Sequence, residues 1–232
     1  MERTLFQTKN GNPLNFLIHG ERGIGKSSLL YYLQLVARGV IKGIEGGNFN
    51  FLIVCVELEP SNDYAEIIHR IGSELHREVA RRRVGVEFAK AAWDFIKRWE
   101  VMGVKYAESN RESKPNTLID ELAYSVQETL TQFGSEVDGI LVLIDEADKP
   151  PATANLGEFV KIFTERLTKR GCNRVCMGLA GLSGLLQSLR QSHESSLRIF
   201  DLLTLEPLRP DERKLVTAVR LKIEQNQLVG VL

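Results

Sequence analysis

Residues Gly20 to Ser27 read GERGIGKS, which sets glycines, a lysine and a serine at the spacing G-x-x-x-x-G-K-[ST]. Phosphate binding needs such a set. Gly20, Gly23 and Gly25 let the backbone turn successive N–H groups inward at phosphate oxygens, Lys26 reaches the β- and γ-phosphates, and Ser27 offers its hydroxyl to Mg²⁺. Glu21, Arg22, Ile24 and the following Ser28 complete the candidate nucleotide-binding segment. Far along the chain, the apolar run ILVLI at 140–144 ends in Asp145-Glu146, the pattern known as Walker B. Asp145 would hold the metal through a water, and Glu146 would polarise the attacking water as the catalytic carboxylate. The pair is tolerable only at a strand's mouth, since an unpaired carboxylate in the core costs about 2 kcal/mol or more. Each motif alone has a plainer reading, as a glycine-rich turn or a strand's polar end; together, in this order, they point to ATP or GTP and its hydrolysis. No Asn/Thr-Lys-x-Asp guanine motif is present, which favours ATP.

These residues need a sheet to hold them. Leu14, Phe16, Leu17 and Ile18 read as a buried strand leading into the glycine loop, and Leu29, Leu30, Leu33 and Val36 recur at helical spacing after it. The positive end of that helix adds to the anion field. Four glycines and two asparagines between Gly39 and Asn50 make a loop. The run FLIVCVEL, Phe51 to Leu58, reads as a strand buried on both faces, and Asn62 or Asp63 would cap a helix carrying Tyr64, Ile67, Ile68, Ile71, Leu75 and Val79. Residues 84–133 read as a helical insert, with a helix over 84–102, a polar loop from Glu108 to Asn116 and a helix through Ile119, Leu122, Val126, Leu130 and Phe133. Strands are expected at Gly139–Ile144, Arg174–Ala180 and Phe200–Leu205, and helices through Leu156–Leu167 and Leu182–Leu189. The alternation predicts an α/β fold: a P-loop NTPase with a five-stranded, mostly parallel sheet flanked by helices.

Length and charge bound the partners. The 232 residues make one large domain, with 43% hydrophobic and 26% charged residues. Lys plus Arg and Asp plus Glu both number 30, so bulk charge lends no support to duplex-DNA binding, although DNA stays open as a partner. The N-terminus lacks a signal-peptide core and no apolar stretch reaches membrane-spanning length, so the expected location is the cytoplasm, away from any membrane. Cys55, Cys172 and Cys176 suit a reducing compartment and read as buried thiols rather than a zinc site. His19 reads as satisfied by backbone, with a nucleotide contact as the other reading; Arg81 to Arg83 as a solvated helix end, with a contact to nucleic acid or an acidic partner second; and Lys149, before Pro150-Pro151, as a solvent-facing loop lysine, with a place near the site second.

The segments GERGIGKSSLL at 20–30, ILVLIDEAD at 140–148 and RIFDLLTLEPLRPDE at 198–212 together resemble AAA+ and STAND-like P-loop ATPases, in particular the branch of origin-recognition initiators and transposition-helper ATPases. The resemblance implies ATP and Mg²⁺ as cofactors and a homo-oligomer or hetero-oligomeric complex. It implies an arginine near the fifth strand that acts on a neighbouring subunit's nucleotide. Arg198 fits that position best and Arg190 second, with a solvated surface arginine as the other reading. A polar sensor is expected at the end of the fourth strand, where this chain has Ala180 and Gly181, with Ser183 the nearest polar residue. The ATPase domain would span 1–210, leaving 211–232 as the start of a truncated or minimal helical lid. The resemblance also leaves open a signalling or scaffold module with little turnover. Residues from Leu5 to Phe16 would pack on the base.

Overall fold

A computed structural model of the chain describes residues 1–43, 46–82, 115–209 and Glu212. Five strands form the sheet: β1 (Asn15–Gly20), β2 (Phe51–Glu57), β3 (Gly139–Asp145), β4 (Val175–Gly181) and β5 (Phe200–Leu205), in the order β2-β3-β4-β1-β5. Every pairing is parallel. The carboxyl ends of all strands therefore meet at one edge, the place where open α/β sheets bind ligands. Leu14, expected in the first strand, lies outside it at 39% exposure; the strand begins where Asn15 pairs with Phe200.

The period-two alternation of each strand feeds two cores. On one face Phe16, Ile18, Ile53, Leu141 and Leu143 pack with Leu30, Leu33 and Val36 of α2 (Lys26–Ala37) and Leu5 of α1 (Glu2–Lys9). On the other, Leu17, Val54, Val142 and Ile144 meet α3 (Tyr64–Arg81), α4 (Pro115–Phe133), α5 (Leu156–Lys169) and α6 (Leu185–Ser192). With helices on both faces, the inner strands are free to be apolar throughout, and β4 is buried along its whole length. Leu5 and Phe16 are thus core residues, at 0% and 1% exposure. The Phe16 ring lies over Gly178 of β4, where a Cβ would come within 2.1 Å of it.

Asp63 caps α3, its Oδ1 accepting from Glu66 N at 2.9 Å, while Asn62 Oδ1 accepts from Glu59 N at 2.8 Å in the preceding turn. Of the segment read as an insert, residues 84–114, with Trp93 and Trp99, lie outside the described residues, as does Arg83 before it. Pro115 and Asn116, expected in the polar loop, already belong to α4, whose Ile119, Leu122 and Val126 share the core of α3 and α5. The lid segment 211–232 lies outside the described residues apart from Glu212. Arg81 pairs with Glu74 and Glu78, and Arg82 donates to Phe51 O at 2.7 Å, so both helix-end arginines serve the fold. Among the described residues no helix is long and apolar enough to cross a membrane.

Candidate nucleotide site

The glycine loop bridges the end of β1 and the start of α2. Gly23 and Gly25 hold φ of 78° and 103°, the left-handed region that a glycine enters without Cβ strain. Among the described residues, no atom beyond the chain neighbours lies within 4 Å of a Cβ placed on either, so the space over the loop is open. Gly20 is required for a different reason: its Cβ would sit 2.7 Å from Leu205 O, because β5 runs against it. Lys26 Nζ folds back onto the loop, donating to Glu21 O at 2.8 Å and Gly20 O at 3.1 Å. Ile24 packs toward Gly20, and Ser27 and Ser28 are exposed on the first turn of α2.

Facing the loop is the turn that follows β3. Asp145 is the last strand residue, half-buried, with Oδ1 accepting from Glu146 N at 2.8 Å. Glu146 holds a φ of 52°, a left-handed conformation rare for a residue with a Cβ. The turn is fastened to β4: Ala147 N donates to Ala180 O at 2.9 Å, and Leu182 N to Asp148 Oδ1 at 2.8 Å. Gly181 has no room for a side chain, since a Cβ there would lie 2.6 Å from Asp148 Oδ1 and 2.8 Å from Leu185 Cδ2. Asp148 thus occupies the space at the end of β4 where a polar sensor was expected.

Loop and turn enclose a cleft of about 410 Å³. Arg22, Gly23, Gly25, Lys26, Ser27 and Ser28 line one wall, and Glu146, Asp148, Lys149 and Leu182 the other. Lys26 of the glycine loop and Glu146, 120 residues apart in the sequence, therefore face one space. Gly20, Glu21, Ile24 and Asp145 support the walls without lining the cleft. Ser183 is exposed and stays outside it. His19 lies outside it too, its Nε2 3.0 Å from Thr204 Oγ1 on β5 rather than on backbone. Arg198 and Arg190 are exposed and line no part of this chain's own cleft; Arg198 precedes β5, at the opposite edge of the sheet. Lys149, read from sequence as a solvent-facing lysine, is exposed but belongs to the cleft wall, with Nζ 3.2 Å from Glu57 Oε1 and 3.9 Å from Glu146 Oε2. Asp148 was missed as a site residue, and Lys149 was set second to a solvent-facing reading, because nothing but their nearness to Asp145-Glu146 marks them in the sequence.

Mg²⁺ takes one or two protein ligands beside phosphate and water oxygens, and Ser27 with Asp145 is a set of that kind. No group of three or more His, Cys, Asp or Glu side chains capable of holding a metal gathers among the described residues. Asp145 also makes itself felt behind the turn. Burial first, and then the Asp145 carboxylate, push the Cys55 thiol up to about 11.

Two solved structures have this arrangement of strands and helices. Cdc6p from Pyrobaculum aerophilum superposes with a TM-score of 0.55 at 14% identity, over 96% of this chain and 49% of its own. The Aeropyrum pernix ORC2 protein in its ADP form gives 0.55 at 16% identity, over 96% of this chain and 50% of its own. The chain has the fold of these two proteins. It spans about half the length of each. The same ORC2 protein has also been solved in ADPNP-ADP complexes, matched at a TM-score of 0.50 and 16% identity. No family model and no curated protein matches the sequence.

Proposed function

We propose that the chain is an ATP-binding, ATP-hydrolysing switch of the AAA+ type that acts in the assembly or remodelling of a larger complex. The observation that carries this reading is the cleft that residues of the Arg22–Ser28 segment and of the Glu146–Lys149 turn line together, of a size suited to a nucleotide. The ADP and ADPNP bound by the ORC2 neighbour support it by analogy of fold.

In this reading the backbone N–H groups around Gly23 and Gly25 cradle the β- and γ-phosphates, and Lys26 leaves the Gly20 and Glu21 carbonyls to meet them. Ser27 and Asp145 would hold Mg²⁺, which supplies charge neutralisation across the phosphate oxygens when bound. Glu146 orients a water and accepts its proton as the water oxygen bonds to the γ-phosphorus and the bond to the ADP oxygen breaks. Arg198 would act on the nucleotide of an adjacent subunit, which suits its exposure and its distance from its own cleft.

The test is direct. Lys26→Ala should abolish ATP binding measured by titration calorimetry, while Glu146→Gln should keep binding and lower turnover by about 10²–10⁴-fold. ATP binding untouched by the first substitution, or turnover untouched by the second, would sink the reading. A second reading, a signalling or scaffold module that binds nucleotide with little turnover, is favoured by the filled space at Gly181, which leaves the end of β4 without a polar sensor. Negligible turnover at every protein concentration, with and without duplex DNA, decides for it. Particle size measured alongside reports on the oligomer, and a rate that rises with DNA would support DNA as a partner.

A further inference from the structure

Two lysines face each other across the cleft, and each is held by oxygens of the protein itself. Lys26 rests on the carbonyls of its own loop. Lys149 lies between two carboxylates, 3.2 Å from Glu57 Oε1 and 3.9 Å from Glu146 Oε2. Glu57 ends β2 and is the cross-strand neighbour of Asp145, so the sheet itself brings it to the cleft's rim. The backbone beneath Lys149 is firmly set: its N–H donates to Glu146 O at 3.0 Å, Ala147 and Asp148 fasten the turn to β4, and Pro150-Pro151 follow. The ammonium, on a flexible stem over that fixed turn, is the part free to change partners. Its two carboxylates are 67% and 39% exposed, and half-exposed ion pairs of this kind are weak.

A polyphosphate brings several negative charges into the cleft. In the proposed mechanism Glu146 faces the water that attacks the terminal phosphate, and Lys149, on the same wall, then stands on the terminal phosphate's side. We propose that Lys149 is a second phosphate-binding cation, which moves from Glu146 to the terminal phosphate of a nucleoside triphosphate and so frees the Glu146 carboxylate for its water only when that phosphate is present. This inference rests on the nucleotide-binding reading of the cleft. Glu57 is then a positioning residue that keeps the ammonium at the rim in the empty state. A diphosphate, which lacks that terminal phosphate, leaves Lys149 on its carboxylates.

The experiment compares MgATP and MgADP affinities of the wild type, Lys149→Gln and Lys149→Arg by titration calorimetry. Loss of one charge-assisted contact should weaken ATP about tenfold and ADP by less than about twofold in Lys149→Gln, with most of the ATP preference restored in Lys149→Arg. An equal loss for both nucleotides, or a loss for neither, overturns the role of Lys149 and leaves nucleotide binding standing. A wild type that binds neither nucleotide overturns the proposed function, and this inference with it.

Discussion

Glu146 carries its carboxylate on a backbone that few residues adopt. Its φ of 52° costs a side-chain-bearing residue about 1–2 kcal/mol, and the hydrogen bonds of Ala147 and Asp148 to β4 hold it there. The strain gives a prediction that is independent of activity. Glu146→Gly should be more stable than Glu146→Ala by about 1 kcal/mol in urea unfolding, the reverse of the order expected in ordinary backbone; the ordinary order would mean that the turn is not left-handed in solution. The cysteines give another. Burial pushes Cys55 to about 11, by way of Asp145 as well, and Cys176 to about 12, and it raises Cys172 and Tyr64 too. For a group whose folded pKa lies above its unfolded one, stability is fully present below the unfolded value and is lost as pH rises toward the folded value. The urea midpoint should therefore fall between about pH 9 and 11, and at pH 8 the native thiols should react with a disulfide reagent far more slowly than in urea.

At the scale of elements, the glycine loop is held in place by helices and strands that the motif itself does not name. Arg38, at the end of α2, reaches across to the fully buried Glu78 of α3, with Nη1–Oε1 at 2.6 Å and Nη2–Oε2 at 2.9 Å, and the same carboxylate accepts from Ile53 N at 3.4 Å. The phosphate-loop helix is thereby tied to the far core across the edge strand. Removing one partner of such a pair leaves a charge without its counterpart, so Glu78→Ala should lower the unfolding free energy by about 3 kcal/mol. A loss within experimental error would mean that solvent takes over the Arg38 charge. Gly20 is the second structural support. Gly20→Ala should destabilise by about 1–3 kcal/mol, because the added methyl meets the Leu205 backbone rather than a yielding side chain. Glu78 is hard to see in the sequence for a physical reason. A glutamate on an otherwise apolar helical face shows neither its burial nor its arginine until α2 and α3 are packed together.

For the whole molecule, the parallel sheet sets which residues reach the cleft and which lie at the other end of the strands. Arg198 precedes β5, while the cleft sits where the strands end, so any action of this arginine on nucleotide needs a second subunit. Turnover should accordingly rise more than linearly with protein concentration, and Arg198→Ala should lower it about 10³-fold or more with ATP binding unchanged. A rate per subunit that is constant over concentration would remove Arg198 from the mechanism. The amino-acid sequence by itself determined the strands, most of the helices and the two motifs, because backbone turns that need glycine, and apolar runs that need two covered faces, leave local signals. Leu14 misled it at a strand's edge, since an apolar side chain does not record where a strand begins. The strand order, the joining of Gly20–Ser28 and Asp145–Asp148 across one cleft, the filling of the Gly181 position by Asp148 and the place of Lys149 between Glu57 and Glu146 were decided only by the tertiary structure. Each of these depends on groups far apart in the chain, and the distance between them is set by how the layers pack.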